Sequence, residues 1–353
     1  MLLERLGIAT PVVQAGMGGG ISRHELAAAV SEAGGLGTIA VGGADAIARE
    51  LRAARALTGR PLAVNVLLPF ARRDWFAAAA GADVVVTFWG APRRRVPGVW
   101  LHQCGSVDEA RAAAAAGADG AILQGVEAGG HVRGTTPAHE LLERARAALP
   151  AGFPLLLAGG IAQRADVAAA LEAGADAAVA GTRFLLSDES RAHPGYRERA
   201  LAARETVLTE LFGAGWPAPH RVIANAATAR HLGFGPAGQP GEGRGGADGE
   251  HGANRPPVRP GDAGGRSRRD PRGPAGRRAL NRLTALGAGR MPPRVQARLA
   301  RAQRPGSLLL SPTPPTDDGP ASLLDAGPLY AGQTVARIDG VSSAARLVAA
   351  LTP

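Results

Sequence analysis

A (β/α)₈ barrel is the fold this sequence predicts, on three observations. The first 185 residues repeat one unit: an Ala-rich helical stretch, a Gly turn with Asp, then a short apolar run. "AAAAGADVVVTFWG" (77–90), "AAAAGADGAILQG" (113–125) and "ALEAGADAAVAGT" (170–182) are three copies of it. Eight such runs can be counted, and helical stretches alternating with buried strands argue for parallel strands covered by helices. The runs end in glycines and amides, residues suited to the C-terminal face where barrel enzymes keep their sites.

Taken in order, the strands fall near 10–14, 36–40, 62–67, 83–88, 99–103, 120–124, 154–158 and 176–180. Each is short and apolar, bounded by Gly, Pro or Asp. Helices fall near 22–33, 44–57, 71–80, 106–116, 137–149 and 163–173, with Gly closing several of them. The link between the fourth and fifth strands, "APRRRVPGV", leaves about nine residues, fewer than a helical crossover needs. Either that helix is missing or one strand is miscounted. A polar helical region follows at 188–212.

The chain divides into three parts on composition. Residues 1–234 hold the barrel and the start of a small helical subdomain. Residues 235–278 are dominated by Gly, Pro and Arg, with almost no large apolar side chain. Such a segment cannot offset its ordering entropy and is expected to be disordered. Residues 279–353 begin helix-like, over 279–303, and end in a folded return to the barrel.

Charge and cysteine content exclude some functions. The net charge is +10, and all 40 basic residues are arginine. Residues 1–235 hold 23 Arg against 21 acids, residues 236–353 hold 17 against 9. The barrel is near neutral and the basicity lies in the tail, which weakens any nucleic-acid role for the main domain. Cys104 is the sole cysteine, so no internal disulfide forms and a reducing, cytoplasmic setting is expected. Neither a secretory signal nor an apolar run of membrane-spanning length is apparent.

The candidate chemistry sits at the strand ends. After the first strand comes "QAGMGGG" (14–20), with Ala15, Gly16 and Met17 in a loop where backbone can approach a flat ligand. The third strand delivers Asn65, the fifth His102 and the sixth Gln124. "AGGI" (158–161) and "GTRF" (181–184) follow the seventh and eighth strands, the usual barrel phosphate site. A phosphate clamped by Gly159, Gly160, Gly181 and Thr182, with amides reaching a ring, suits flavin mononucleotide, FMN.

"QGVEAGGHVRG" (124–134) then sets His131 after Gly129 and Gly130. A lone histidine is usually structural or merely exposed. Facing a flavin at the top of the sixth strand, this one suits proton transfer near neutral pH. Glu127 competes for that role or orients the loop. Arg133 attracts an anionic substrate or is simply solvated. His102 is expected to pack within the barrel mouth, and His24, at a helix start, to lie on the surface. No metal site is expected.

"PVVQAGMGGGIS", "VNVLLPF", "GADGAILQGVEAGGHVRG", "LLLAGGIA" and "AGTRFLLSDES" together resemble the nitronate monooxygenase (2-nitropropane dioxygenase) family. The resemblance spans about residues 5–235 and resumes at "PLYAGQTV" (328–335). It implies an FMN-bound TIM barrel that oxidises alkyl nitronates with O₂ to a carbonyl compound and nitrite. It carries Asn65, Gln124, Gly129, Gly160, Gly181 and Thr182 to FMN, Met17 and its flanking glycines to the isoalloxazine, and His131 to the catalytic histidine. The Arg/Gly/Pro stretch interrupts the family's small helical domain, as an insertion or a change of reading frame would. Three functions are weighed: nitronate oxidation, FMN-dependent enoyl-thioester (enoyl-acyl-carrier-protein) reduction with a nicotinamide donor, and a barrel without chemistry whose Arg-rich tail binds polyanions. Aromatic residues for base stacking are nearly absent from that tail, so specific nucleic-acid binding is not expected. Partners are a small substrate and O₂, and a homodimer is compatible with this reading.

Overall fold

The computed structural model describes residues 2–94, 96, 98–235, 276, 279–284, 298 and 300–353. The Gly/Pro/Arg-rich segment predicted at 235–278 lies almost wholly outside the described residues, as does much of the helix predicted at 279–303.

Eight parallel strands form the barrel. They are β1 (Val12–Gln14), β2 (Gly37–Ile39), β3 (Leu62–Leu67), β4 (Val84–Phe88), β5 (Val99–Cys104), β6 (Gly120–Gln124), β8 (Leu155–Ala158) and β9 (Ala177–Ala180). They pair in the order β1-β9-β8-β6-β5-β4-β3-β2, and a parallel bridge between Val13 and Leu36 joins the two ends. The side-chain period of two divides each strand between two layers. Val13, Ala63, Val86, Leu101, Ile122 and Leu156 fill the interior. Val12, Val64, Val85, Trp100, Leu123 and Leu157 pack outward with the helices.

Around the strands run α2 (His24–Glu32), α3 (Ala44–Leu57), α4 (Arg73–Ala79), α5 (Val107–Ala115), α6 (Ala138–Ala148) and α7 (Arg164–Glu172). A short α1 (Leu2–Leu6) and Ile8 join the interior cluster at the opposite end from the strands' C-termini. The helix layer is Ala-rich because helices lie close on the strands. At Gly37 an added Cβ would come 1.9 Å from the Ala27 carbonyl oxygen of α2, so only glycine fits there.

The repeated Gly-Ala-Asp turn has a single cause. Asp83 Oδ2 accepts from Leu62 N at 2.8 Å, Asp119 Oδ2 from Trp100 N at 3.0 Å, and Asp176 Oδ2 from Leu155 N at 2.9 Å. Each carboxylate thus holds the first or second amide of the preceding barrel strand. Each also pairs with an arginine: Arg55, Arg94 and Arg146 respectively. Turn and strand start are tied by one side chain, and at Asp83 and Asp176 the arginine ties in a helix as well.

The short fourth link carries no helix among its described residues, and the strand count stands at eight. Arg94 takes the helix's place. Its guanidinium donates to the Gly117 and Gly98 carbonyls and to Asp119, and lies 5.8 Å from the Trp100 ring centre. An arginine stem and fork can cover apolar surface in this way.

A cap covers the strands' C-terminal ends. β10 (Val207–Thr209), β11 (His220–Val222) and the two-residue β7 (Gly130–His131) form an antiparallel sheet. The polar region predicted as helical over 188–212 is only partly so. α9 (Pro194–Ala202) ends before the strand at Val207, whose β-branched side chain and backbone pair with Val222. α8 (Thr182–Leu185), α10 (Ala226–Leu232), α11 (Leu323–Ala326) and a 3₁₀ turn (Gln333–Arg337) complete the cap. α12 (Ala344–Leu351) returns to the barrel, burying Ala344, Leu347, Val348 and Leu351 in the outer core. No helix is long and apolar enough to cross a membrane, among the described residues.

Candidate functional site

One cavity of about 330 Å³ opens where the cap meets the barrel, within the roughly 300–1,000 Å³ range of small-molecule sites. The barrel supplies its floor. Ala15, Gly16 and Met17 line it from the loop after β1, Asn65 from β3 and Gln124 from β6. Gly159 and Gly160 line it after β8, and Gly181 and Thr182 after β9. Gly129 and His131 enter from the loop after β6. Of the site residues expected from sequence, only Arg133 stands outside this lining.

The loop after β1 is fixed by Ser22, whose Oγ accepts from Met17 N at 3.0 Å. At Gly16 a Cβ would sit 2.5 Å from Asn65 Cβ, so the glycine lets the Asn65 amide lie against backbone. Gly159 and Gly160 have φ of 109° and 79°, conformations open to glycine that leave the loop without side chains. Thr182 Oγ1 accepts from Gly332 N at 2.9 Å, and a Cβ on Gly129 would lie 2.5 Å from the Gly332 nitrogen. The return segment around Gly332 thus closes over both predicted phosphate and histidine loops.

Gln124 is largely committed to the histidine loop. Its Nε2 donates to the His131 carbonyl at 2.9 Å and its Oε1 accepts from Arg133 N at 3.2 Å. One N–H and one lone pair remain for a ligand. Glu127 Oε1 accepts from Ala138 N, at the start of α6, at 2.9 Å. That contact gives Glu127 an orienting role, and Arg221 nearby offsets its charge.

His131 sits in an aromatic box. Its ring stacks on Trp216 with centroids 3.7 Å apart and planes 20° apart. His220 lies 5.3 Å away and Tyr330 5.4 Å. Burial, and secondarily His220, hold the His131 imidazole well below its ordinary value of 6.5. Desolvation disfavours the charged ring, and its Nε2 is buried with no hydrogen-bond partner among the described residues. His220 is fixed as a neutral tautomer. Its Nδ1 faces the Ala218 carbonyl at 2.9 Å and its Nε2 accepts from Phe212 N at 3.2 Å. Since a carbonyl only accepts, the hydrogen is on Nδ1. Burial lowers its pKa to about 4.

Trp89 reaches this box from the end of β4. Its φ of 65° is the left-handed region, unusual for a bulky residue and costing on the order of 1–3 kcal/mol. The indole lies edge-on to Trp216 at 5.2 Å. Arg133 packs behind it, its guanidinium 5.2 Å from the Trp89 ring centre and paired with Glu109. The ion pair with Glu109 is why Arg133 does not reach the cavity.

Two other sequence expectations are corrected. His102 faces the helix layer, not the barrel mouth: it shares the outward parity of Trp100 and Cys104, and its Nδ1 lies 2.8 Å from Thr87 Oγ1. Burial lowers its pKa to about 4. His24 is half-buried rather than a surface residue, because its Nδ1 lies 2.6 Å from the buried Glu50. Glu25 joins them within metal-ligand distance, the one such trio among the described residues. Glu50 there also accepts from His24 N, at the start of α2.

Trp216, Tyr330, His220 and Gln103 were not singled out from sequence. Three of them line the cavity and His220 packs beside it. Gln103 was hidden by its neighbour His102, and strand parity would have separated them. Trp216 in "GWPAPH" and Tyr330 in "PLYAGQTV" carried a weaker signal, aromatic rings in Gly/Pro stretches that no core periodicity explains.

A bound flavin fits this donor set. Asn65 Oδ1, Glu127 Oε2, His131 Nε2 and Trp216 Nε1 are all buried without a hydrogen-bond partner around one cavity. Buried polar atoms are ordinarily paired, so a polar-edged ligand is called for.

Comparison with known proteins gives the family. The family model for nitronate monooxygenase matches residues 1–86 and 93–242. The nitronate monooxygenase of Pseudomonas aeruginosa is 34% identical over 262 residues, covering 58% of this chain and 74% of that protein. A (3aS,4S,5R,7aS)-5-hydroxy-7a-methyl-1-oxo-octahydro-1H-indene-4-carboxyl-CoA dehydrogenase of Mycobacterium tuberculosis is 34% identical over 243 residues, covering 63% and 65%. Among solved structures, nitroalkane oxidase from Streptomyces ansochromogenes superposes with a TM-score of 0.66 and 30% identity over 99% of this chain and 96% of its own. FabK from Thermotoga maritima superposes with a TM-score of 0.69 over 99% and 94%, and at 24% identity that likeness bears on the fold alone. The chain is an oxidoreductase and belongs to the nitronate monooxygenase family.

Proposed function

We propose that the protein is an FMN-dependent monooxygenase that oxidises alkyl nitronates, and the nitroalkanes from which they form, with O₂ to a carbonyl compound and nitrite. The observation that carries this reading is a buried His131, its Nε2 unpartnered among the described residues, on a cavity lined by Gly16, Gly159, Gly160 and Gly181. FMN, when bound, supplies the electron transfer. Gly159, Gly160, Gly181 and Thr182 would hold its phosphate through backbone and hydroxyl groups. Asn65, and the free half of the Gln124 amide, would meet the polar edge of the ring, with Ala15, Gly16 and Met17 beneath it.

The chain's own task is proton transfer and water exclusion. His131 takes the α-proton of a neutral nitroalkane, which a nitronate has already lost. Trp216 and Tyr330 hold the imidazole flat and dry, and Gln124 anchors its backbone. The closed box keeps bulk water from the reacting carbon.

A second reading has one observation behind it: the Mycobacterium tuberculosis relative acts on a carboxyl-CoA compound. An acyl-thioester oxidoreductase with a nicotinamide donor is the corresponding activity. Anaerobic mixing separates the two. Loss of flavin absorbance on adding propyl-2-nitronate, with none on adding NADH or NADPH, is the expected outcome. Reduction by a nicotinamide and not by the nitronate would replace the first reading with the second.

A further inference from the structure

The orphaned polar atoms of the cavity lining are not alike. Asn65 Oδ1, Glu127 Oε2, His131 Nε2 and Trp216 Nε1 are buried without a partner among the described residues. An amide oxygen or an ionised carboxylate accepts, whereas an indole N–H only donates. Trp216 is 7% exposed, and a buried indole ordinarily finds an acceptor. Trp100 in the barrel wall does so, giving its Nε1 to Thr87 Oγ1 at 2.7 Å. Arg221 Nε is also without a partner among the described residues, but Arg221 stands outside the cavity lining.

The Trp216 ring is held from several sides. It stacks on His131 with centroids 3.7 Å apart, and Phe70 and Trp89 meet it edge-on at 5.4 and 5.2 Å. Its loop is closed by His220, which accepts from Phe212 N at 3.2 Å and faces the Ala218 carbonyl at 2.9 Å. Trp216 N donates to the Gly213 carbonyl at 3.0 Å, and Ala218 N to the Trp216 carbonyl at 2.8 Å. The orphaned indole nitrogen and the orphaned imidazole nitrogen thus belong to two stacked rings on one cavity. A ligand lying against this stack meets an N–H donor and an imidazole together.

We propose that Trp216 is a second catalytic residue, its Nε1–H donating to a nitro oxygen of the substrate. The proposal rests on the nitronate reading and adds a role to it. As His131 takes the α-proton, the C–H electron pair becomes the C=N bond and the N=O pair moves onto oxygen. The negative charge gathers on the nitro oxygens. A donor already fixed there needs no reorganisation as that charge develops.

The test uses Trp216→Phe, which keeps an aromatic ring on His131 and removes the N–H. For the FMN-loaded protein, kcat on neutral 2-nitropropane is expected to fall about 10²-fold. Propyl-2-nitronate already carries the charge, so its KM should rise about tenfold instead. Protein loaded with 5-deaza-FMN, an analogue poor in one-electron transfer, reads binding without turnover. Calorimetry with propyl-2-nitronate should there give a Kd about tenfold higher in the variant. Unchanged nitronate affinity would overturn the proposal. So would a loss confined to FMN affinity, which would assign the N–H to the flavin. Should Trp216→Phe lose its fold, the wild-type protein decides: nitronate should move the Trp216 indole proton downfield in the spectrum of nitrogen-15-labelled tryptophan, and no shift would overturn the proposal. Trp216-dependent nitronate binding without turnover of nitronate or nitroalkane would remove the nitronate reading and leave the donor contact standing. No nitronate binding to the wild-type protein would remove both.

Discussion

The barrel and its cap obey different rules. The barrel repeats one solution three times: Asp83, Asp119 and Asp176 each hold a strand amide and pair with an arginine. The cap repeats nothing. Its aromatic box joins residues from β4, β7, the 213–219 stretch, β11 and the return near Tyr330. The lesson is a division of labour. A regular frame delivers small residues and amides to fixed heights, which suits a cofactor. An irregular cap delivers rings from distant points, which suits a substrate. His131 belongs to both, because its loop leaves barrel strand β6 while its backbone pairs with β11.

Substitutions that strike one region and spare the other test this division. His131→Ala, at the seam, has the largest expected effect. Turnover of neutral nitroalkane should fall about 10²–10⁴-fold, with flavin retained and nitronate turnover little changed. Steady-state rates on both forms of one substrate decide it; equal loss on both would mean that His131 does not move the proton. In the frame, Gly16→Val drives a side chain into Asn65. Flavin affinity, measured by fluorescence titration, should weaken tenfold or more while circular dichroism stays barrel-like.

Acid should act on both regions through buried imidazoles. His102 in the frame and His220 in the cap have folded pKa values lowered to about 4, against 6.5 when exposed. The unfolded chain binds these protons first, so the stability they confer is full above about pH 6.5 and is lost as pH falls towards about 4. Thermal midpoints measured from pH 7.5 to 4 should drop over that window, and Thr87→Val should perturb the frame's share alone. The smallest effect is expected at Arg133→Ala. Its guanidinium lies outside the cavity, so kcat/KM should change less than about threefold. A larger loss confined to KM would return Arg133 to the substrate.

The same contrast explains what was readable in the sequence. Each barrel strand lies within about two residues of its expected place, and for β4, β6 and β9 the Gly-Ala-Asp turn announces the strand locally. Asn65, Gln124, Gly159 and Gly181 follow from that frame, since strand ends converge on one face whatever the loops do. Gln124 shows the limit of such reasoning. Its position is local, but its two bonds to the His131–Arg133 backbone depend on how the loop folds back. Trp216 and Tyr330 lie still further from local reasoning, because they meet His131 only through the β7–β11 pairing and the Gly332 segment laid over Gly129. Arg133 and His102 show the same in reverse: each is polar and near the right strand end, yet Glu109 and Thr87 claim them.

The central claim is that the glycine floor of the barrel holds FMN beneath His131. The direct measurement is the flavin released when the purified, FMN-reconstituted protein is denatured, identified and quantified by chromatography. One FMN per chain, lost in Gly16→Val and kept in His131→Ala, is the expected result. A protein that takes up no FMN, or keeps it undiminished in Gly16→Val, would contradict the account.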